Sequence, residues 1–284
     1  MKITRVQATS VRIPLTQFFY NAENAGTKRE WNGRLSRVSP KRPDPILEYV
    51  LVEIETDEGV TGVGESPADI GFFGQTVEQI QIAINDYLGP QLVGREPFDI
   101  PALMDHIEFR ENSSAKSGID LALHDLVGKA QGQSVCELLG GRQKERIPVA
   151  IEIPGGSPED MAGECRKYLK QNVHAFKPKI GGYPKDDIER LIAIREAIGP
   201  DVSMRADANR GYDADEAIEL CRLAEKHDVG LELLEQPVPP HDLAGMARIR
   251  KNTDILIEAD ESCFGPHDAA AVIAAGAADV LNIK

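Results

Sequence analysis

The stretch AFKPKIGG, residues 175–182, sets two lysines two positions apart at the end of an apolar run, with a proline between them. In a β-strand successive side chains alternate faces, so Lys177 and Lys179 project to one side, where like charges repel. Outward from it the chain repeats one beat. PVAIEI (148–153), VHAFKPKI (173–180), VSMRADAN (202–209), LELLEQP (231–237), ILIEADE (255–261) and DVLNIK (279–284) are short apolar runs, most of them closing on charged residues. One amphipathic, helix-length segment separates successive runs, as in PEDMAGECRKYLKQN (158–172) and YDADEAIELCRLAEKHD (212–228). A β-then-α repeat of about 25–30 residues predicts a parallel sheet joined by crossover helices. Function is then sought where the strands end.

The first part of the chain has a different rhythm. LEYVLVEI (47–54) alternates towards a turn at Asp57–Glu58–Gly59, and VTGVGE (60–65) resumes the extended pattern, which reads as a hairpin. Helical periodicity follows over Thr76–Leu88, Pro101–Phe109 and Ser114–Gly132, and Gly140–Gly141 reads as a helix stop. Strands followed by helices predict an α+β domain over 1–140, with the α/β repeat occupying 141–284. The 284 residues suffice for two such domains.

With 46 acidic against 32 basic side chains the net charge is -14, which argues against a nucleic-acid partner. Cys136, Cys165, Cys221 and Cys263 have no metal-ligand spacing and read as reduced and buried. Neither a signal-peptide core nor a membrane span is visible, so a cytoplasmic protein with no membrane partner is expected. No glycine-rich phosphate loop follows any strand.

The strand ends carry Lys177 and Lys179, then Asp207, Glu235, Asp260 and Lys284, at successive intervals of 28, 28, 25 and 24 residues from Lys179 onward. In a curved parallel sheet these groups converge. Three clustered carboxylates repel unless a cation sits among them, and hard oxygen donors suit Mg²⁺ or Mn²⁺. The motifs KPK, DAN, EQP and ADES, with a lysine closing the sixth strand, resemble the enolase superfamily, specifically the mandelate racemase/muconate lactonizing enzyme family and its lactonizing subgroup. The resemblance implies an N-terminal capping domain before a TIM-type barrel. It further implies metal ligands Asp207, Glu235 and Asp260, and bases Lys179 and Lys284 on opposite sides of a small carboxylate substrate.

On that reading Lys177 and the metal lower the pKa of Lys179, which removes the substrate's α-proton, and the resulting enediolate is held by Mg²⁺ and Lys177. Lys284 then returns a proton in an epimerisation or assists a cycloisomerisation. Metal-dependent dehydration is the runner-up reaction. A Schiff-base aldolase and a non-catalytic binding protein are alternatives of other classes.

Asn209 shares a face with Asp207 and is either a support for the ligands or a turn former. Arg205 and Glu258 each lie two residues before a proposed ligand and are expected to pair in the layer beneath the metal. The six histidines read as structural. The basic segment Lys28–Arg42, with Arg37 and Lys41, is a solvated loop or a lid for an anionic substrate. Only six of a barrel's eight strands are counted, so a truncated barrel of low stability is expected, homo-oligomeric when full length.

Overall fold

The computed structural model describes residues 1–14, 46–70, 73–107 and 112–283. They form two compact units that part between Arg146 and Ile147.

In the first unit β1 (Ile3–Pro14), β2 (Ile46–Thr56) and β3 (Thr61–Ala68) form an antiparallel sheet in that order. The expected hairpin is β2–β3: Val52 lies opposite Gly64, and Gly59 turns the chain at φ +79°. Alternation buries Val50, Val52 and Ile54 on one face. The helices are α1 (Val77–Ile82), running on as a π-helical turn Ala83–Leu88, then α2 (Gly89–Leu92), α3 (Ile100–His106), α4 (Ser113–Gln131) and α5 (Val135–Leu138). Thr76 and Gln79 form a capping box at the start of α1, and Gly132 ends α4 in the left-handed conformation. The expected helix end at Phe109 lies outside the described residues.

Ile119, Leu123 and Leu126 of α4 join the core shared with β2, and the approach of α4 to β3 leaves no room for side chains. A Cβ on Gly64 would lie 2.1 Å from the Gly118 carbonyl oxygen, and one on Gly62 would lie 2.1 Å from that of Ala122. Gly64→Ala is therefore expected to cost about 1–3 kcal/mol of this unit's stability. Urea unfolding with an unchanged midpoint would contradict that contact.

The second unit is a six-stranded parallel sheet in sequence order: β4 (Ile151–Ile153), β5 (Ala175–Pro178), β6 (Ser203–Asp207), β7 (Leu233–Glu235), β8 (Leu256–Ala259) and β9 (Val280–Leu281). Between them run α6 (Pro158–Leu169), α7 (Pro184–Ile198), α8 (Ala214–Lys226), α9 (Leu243–Arg250) and α10 (Pro266–Ala275). This is six strands of a TIM-type barrel. Phe176, Met204, Ala206, Leu234, Ile257 and Ala259 are inaccessible and share one core with Leu191, Ile194 and Leu220 of the helices. The intervening Lys177, Arg205 and Glu258 take the other parity of their strands.

The YDADE segment behaves as its sequence suggests. Asp213 Oδ1 accepts from the backbone of Asp215 and Glu216 at 2.9 Å each, and the Glu216 carboxylate accepts from Asp213 N, so Asp207 is not the cap of α8. The cysteines depart from expectation. Cys165 and Cys221 are buried, but Cys263 is intermediate and Cys136 is exposed, because α5 buries none of its residues. Among the described residues no helix is long and apolar enough to cross a membrane.

Candidate active site

In a parallel sheet of this kind the functional groups gather at the C-terminal ends of the strands. Beyond β5 the ladder persists through Lys179, which bridges Asp207, while Ile180 N donates to Asp207 O at 2.9 Å. Asp207 is in register with Glu235, and Glu235 with Glu258. Asp260 lies two residues beyond Glu258, on the same strand parity.

The side chains form one cluster. Lys179 Nζ is 2.5 Å from Asp207 Oδ2 and 3.1 Å from Glu152 Oε1. Lys177 Nζ is 2.8 Å from Glu235 Oε2, 3.3 Å from Glu152 Oε1 and 3.9 Å from Asp207 Oδ2. The two lysines thus have three carboxylates between them, Glu152 and Asp207 common to both, which answers their mutual repulsion. Asp207, Glu235 and Asp260 are each only 1% exposed. Asn209 combines two roles: its backbone, at φ +40°, turns the chain and donates to Asp207 Oδ1 at 2.9 Å, and its side chain donates to Glu261 Oε1 at 3.3 Å.

Of two expectations, the second is corrected. Lys177 and a cation together were expected to lower Lys179; among the protein's own side chains Lys177 does push downward, but the ammonium is raised. Burial pulls it down, but the Asp207 and Glu152 carboxylates outweigh burial and the weaker push of Lys177. Arg205 and Glu258 form no contact ion pair among the described residues: Arg205 is exposed, so solvent meets its charge in place of a buried partner. Burial, followed by the Glu235 charge, pushes the Glu258 carboxyl up to about 7, and Arg205 and Lys177 offset this only partly.

The donor set has the chemistry of a hard-cation site. Burial raises the Asp207 carboxyl despite Lys179. Burial and then the Asp260 charge push Glu261 up to about 7, and the buried Glu261 Oε2 has no hydrogen-bond partner among the described residues. This accumulation of buried negative charge is what a divalent cation relieves. As the side chains stand, no group of three or more His, Cys, Asp or Glu among the described residues is placed to hold a metal. In the same contacts the two ammonium groups take oxygens of Asp207 and Glu235. Lys284 and the Lys28–Arg42 segment, with Arg37 and Lys41, lie outside the described residues.

Several residues that organise the site escaped the sequence reading. Glu152, the middle residue of β4, touches both lysines, and they hold its carboxyl low even though burial opposes ionisation. Asn282 Nδ2 donates to Glu235 Oε1 at 3.0 Å. Gln236 accepts from the backbone of Asp260 and Ser262 at 2.9 and 3.0 Å, and its amide donates to Ser262 Oγ at 2.8 Å. The EQP motif was the available signal for Gln236, but its partners lie 24 and 26 residues away.

Proteins similar to this chain include isomerases. Residues 46–140 match the mandelate racemase / muconate lactonizing enzyme N-terminal domain, and residues 160–284 match the enolase C-terminal domain-like family. The L-Ala-D/L-Glu epimerase of Bacillus subtilis is 34% identical over 290 residues, covering 100% of this chain and 73% of that protein. Its substrate-liganded structure has a TM-score of 0.88 at 33% identity, covering 100% and 74% of the two chains. A dipeptide epimerase from Cytophaga hutchinsonii, solved with Mg and the dipeptide D-Ala-L-Val, has a TM-score of 0.84 at 28% identity, covering 99% and 72%. The chloromuconate cycloisomerase of Cupriavidus pinatubonensis is 35% identical over 241 residues, covering 83% of this chain and 64% of that protein.

Proposed function

Because this chain belongs to the mandelate racemase / muconate lactonizing enzyme family of the enolase superfamily, and proteins similar to it include epimerases, a racemase and cycloisomerases, we propose that it moves the proton α to the carboxylate of a small substrate. The outcome is epimerisation, racemisation or cycloisomerisation. One observation carries the reading: Lys177 and Lys179 form a single cluster of ion pairs with Asp207 and Glu235 at the C-terminal ends of a parallel sheet.

Lys179 exchanges a proton with the substrate's α-carbon. In its present contacts it is protonated, the form that delivers a proton; the accepting form requires Asp207 and Glu152 to be engaged elsewhere. Lys177 donates to the oxygen on which charge accumulates after the proton leaves. Lys284, three residues beyond β9 in the sequence, is the candidate for the opposite face. Asp207, Glu235 and Asp260 are the residues that would hold Mg²⁺, or Mn²⁺ in its place. Such an ion supplies Lewis-acid stabilisation of the substrate carboxylate as it gains negative charge. Asn209 and Gln236 keep two of these carboxylate-bearing loops in place. We take the protein to be cytoplasmic, with its cysteines free.

The test is incubation of L-Ala-L-Glu, N-succinyl-L-arginine and muconate with the protein and Mg²⁺ in deuterated water, followed by NMR. Deuterium entry at a carbon next to a carboxylate, lost on adding EDTA and regained with Mg²⁺, is the expected result. No metal-dependent uptake from any of the three carboxylates counts against the reading.

A further inference from the structure

The most completely bonded buried charge in the second unit lies outside the cluster described above. Asp187, in the first turn of α7, is 0% exposed, yet its carboxylate accepts from four donors. Gly182 N donates to Oδ2 at 2.7 Å and Gly181 N at 3.2 Å, Tyr212 Oη donates to Oδ2 at 2.6 Å, and Arg190 Nη1 donates to Oδ1 at 2.5 Å. Those donors belong to different parts of the rim. Gly181 and Gly182 follow Lys179, Tyr212 closes the loop that follows Asp207, and Arg190 carries the connection onward through a 2.9 Å bond from Nε to Gly156 O in the loop after β4.

The backbones meet as closely as the side chains. Gly181 has φ +110°, and a Cβ there would lie 2.3 Å from the Ala208 carbonyl oxygen; one on Gly211 would lie 2.3 Å from that of Gly181. The loop after Asp207 is tied onward by Arg210 N to Gln236 O at 2.8 Å and Tyr212 N to Pro237 O at 3.0 Å. Gln236 then reaches Asp260 and Ser262. A belt of hydrogen bonds thus links the loops after β4, β5, β6, β7 and β8. Asp187 is its branch point. Burial, and then the Asp187 charge, hold the Tyr212 phenol un-ionised, so it remains a donor.

We propose that Asp187 is a positioning residue that sets Lys179 against Asp207 by clamping the loop behind each of them. A carboxylate is required there because one side chain must accept from two backbone amides, a phenol and a guanidinium, and only an ionised acid offers enough acceptor sites without a competing donor. The role in catalysis rests on the function proposed above; the clamp itself does not.

The test compares wild type with Asp187→Asn, Asp187→Ala and Tyr212→Phe. The first readout needs neither substrate nor metal: brief acetylation with acetic anhydride, read by mass spectrometry as the rate at Lys179 relative to the exposed Lys185. Loosening the clamp is expected to raise this ratio about fivefold in Asp187→Ala, the effect of freeing one hydrogen bond, and by less in Asp187→Asn and Tyr212→Phe. The second readout is deuterium uptake by the active carboxylate: kcat falls about 100-fold while KM shifts by less than about threefold, as expected when a reacting group is displaced rather than removed. Should Asp187→Ala fail to fold, Tyr212→Phe decides by the same ratio. A wild-type acetylation ratio in folded variants overturns the proposal, even if their melting temperatures fall. A wild type inactive on every carboxylate defeats the proposed function, while the acetylation ratio still decides the clamp.

Discussion

Replacing Lys179 by alanine lowers deuterium uptake at the α-carbon by about 10²–10⁴-fold, the range expected when a positioned acid–base group is removed. The prediction follows from where the ammonium sits. Lys179 makes the shortest contact of the cluster, 2.5 Å to Asp207, and also reaches Glu152. Lys177 lies beside Glu235 and does not substitute for it on the Asp207 side, its distance there being 3.9 Å. Lys177→Met is therefore expected to slow the same exchange by about 10²–10³-fold through lost charge stabilisation, without transferring the proton chemistry to another group. Circular dichroism controls for folding, since both changes uncover a buried carboxylate. A Lys179→Ala protein that is folded and exchanges its substrate's hydrogen at the wild-type rate would remove Lys179 from the chemistry.

Phe176→Ala is expected to destabilise the second unit by about 3–5 kcal/mol, a large share of the ~5–15 kcal/mol typical of a folded protein. Phe176 is fully buried and shares its core with Ile153, Met204, Leu191 and Ile194, so truncation opens a cavity between sheet and helices. The neighbouring residue is Lys177, which faces the chemistry. Strand parity thus links stability and function: the side chain that holds β5 down fixes the height of the one that acts. Urea unfolding measures the effect, and a midpoint shift worth less than about 1 kcal/mol would mean that this core collapses around the gap or is not formed as described.

How much of this was legible in the chain depends on how local each feature is. The hairpin across Asp57–Gly59, the capping box of Asp213 and Glu216, and the short apolar runs from Ile151 to Leu281 follow from period, turn residues and caps within a few positions. The same periodicity located Lys177, Lys179, Asp207 and Glu235 at strand ends, because the beat recurs at nearly constant spacing. The sequence could not assign charge to partner. That Lys179 meets Asp207 and Glu152, that its ammonium is consequently raised, and that Arg205 stays in solvent instead of pairing with Glu258 are consequences of register and burial. The Asp187 belt was equally hidden, since Tyr212 lies 25 residues away and Gly156 joins only through Arg190. Local patterns report each residue's own backbone state, which neighbours in sequence determine. Pairings and proton affinities belong to groups brought together from distant positions, and only the folded chain sets the distances on which Coulomb and hydrogen-bond energies depend.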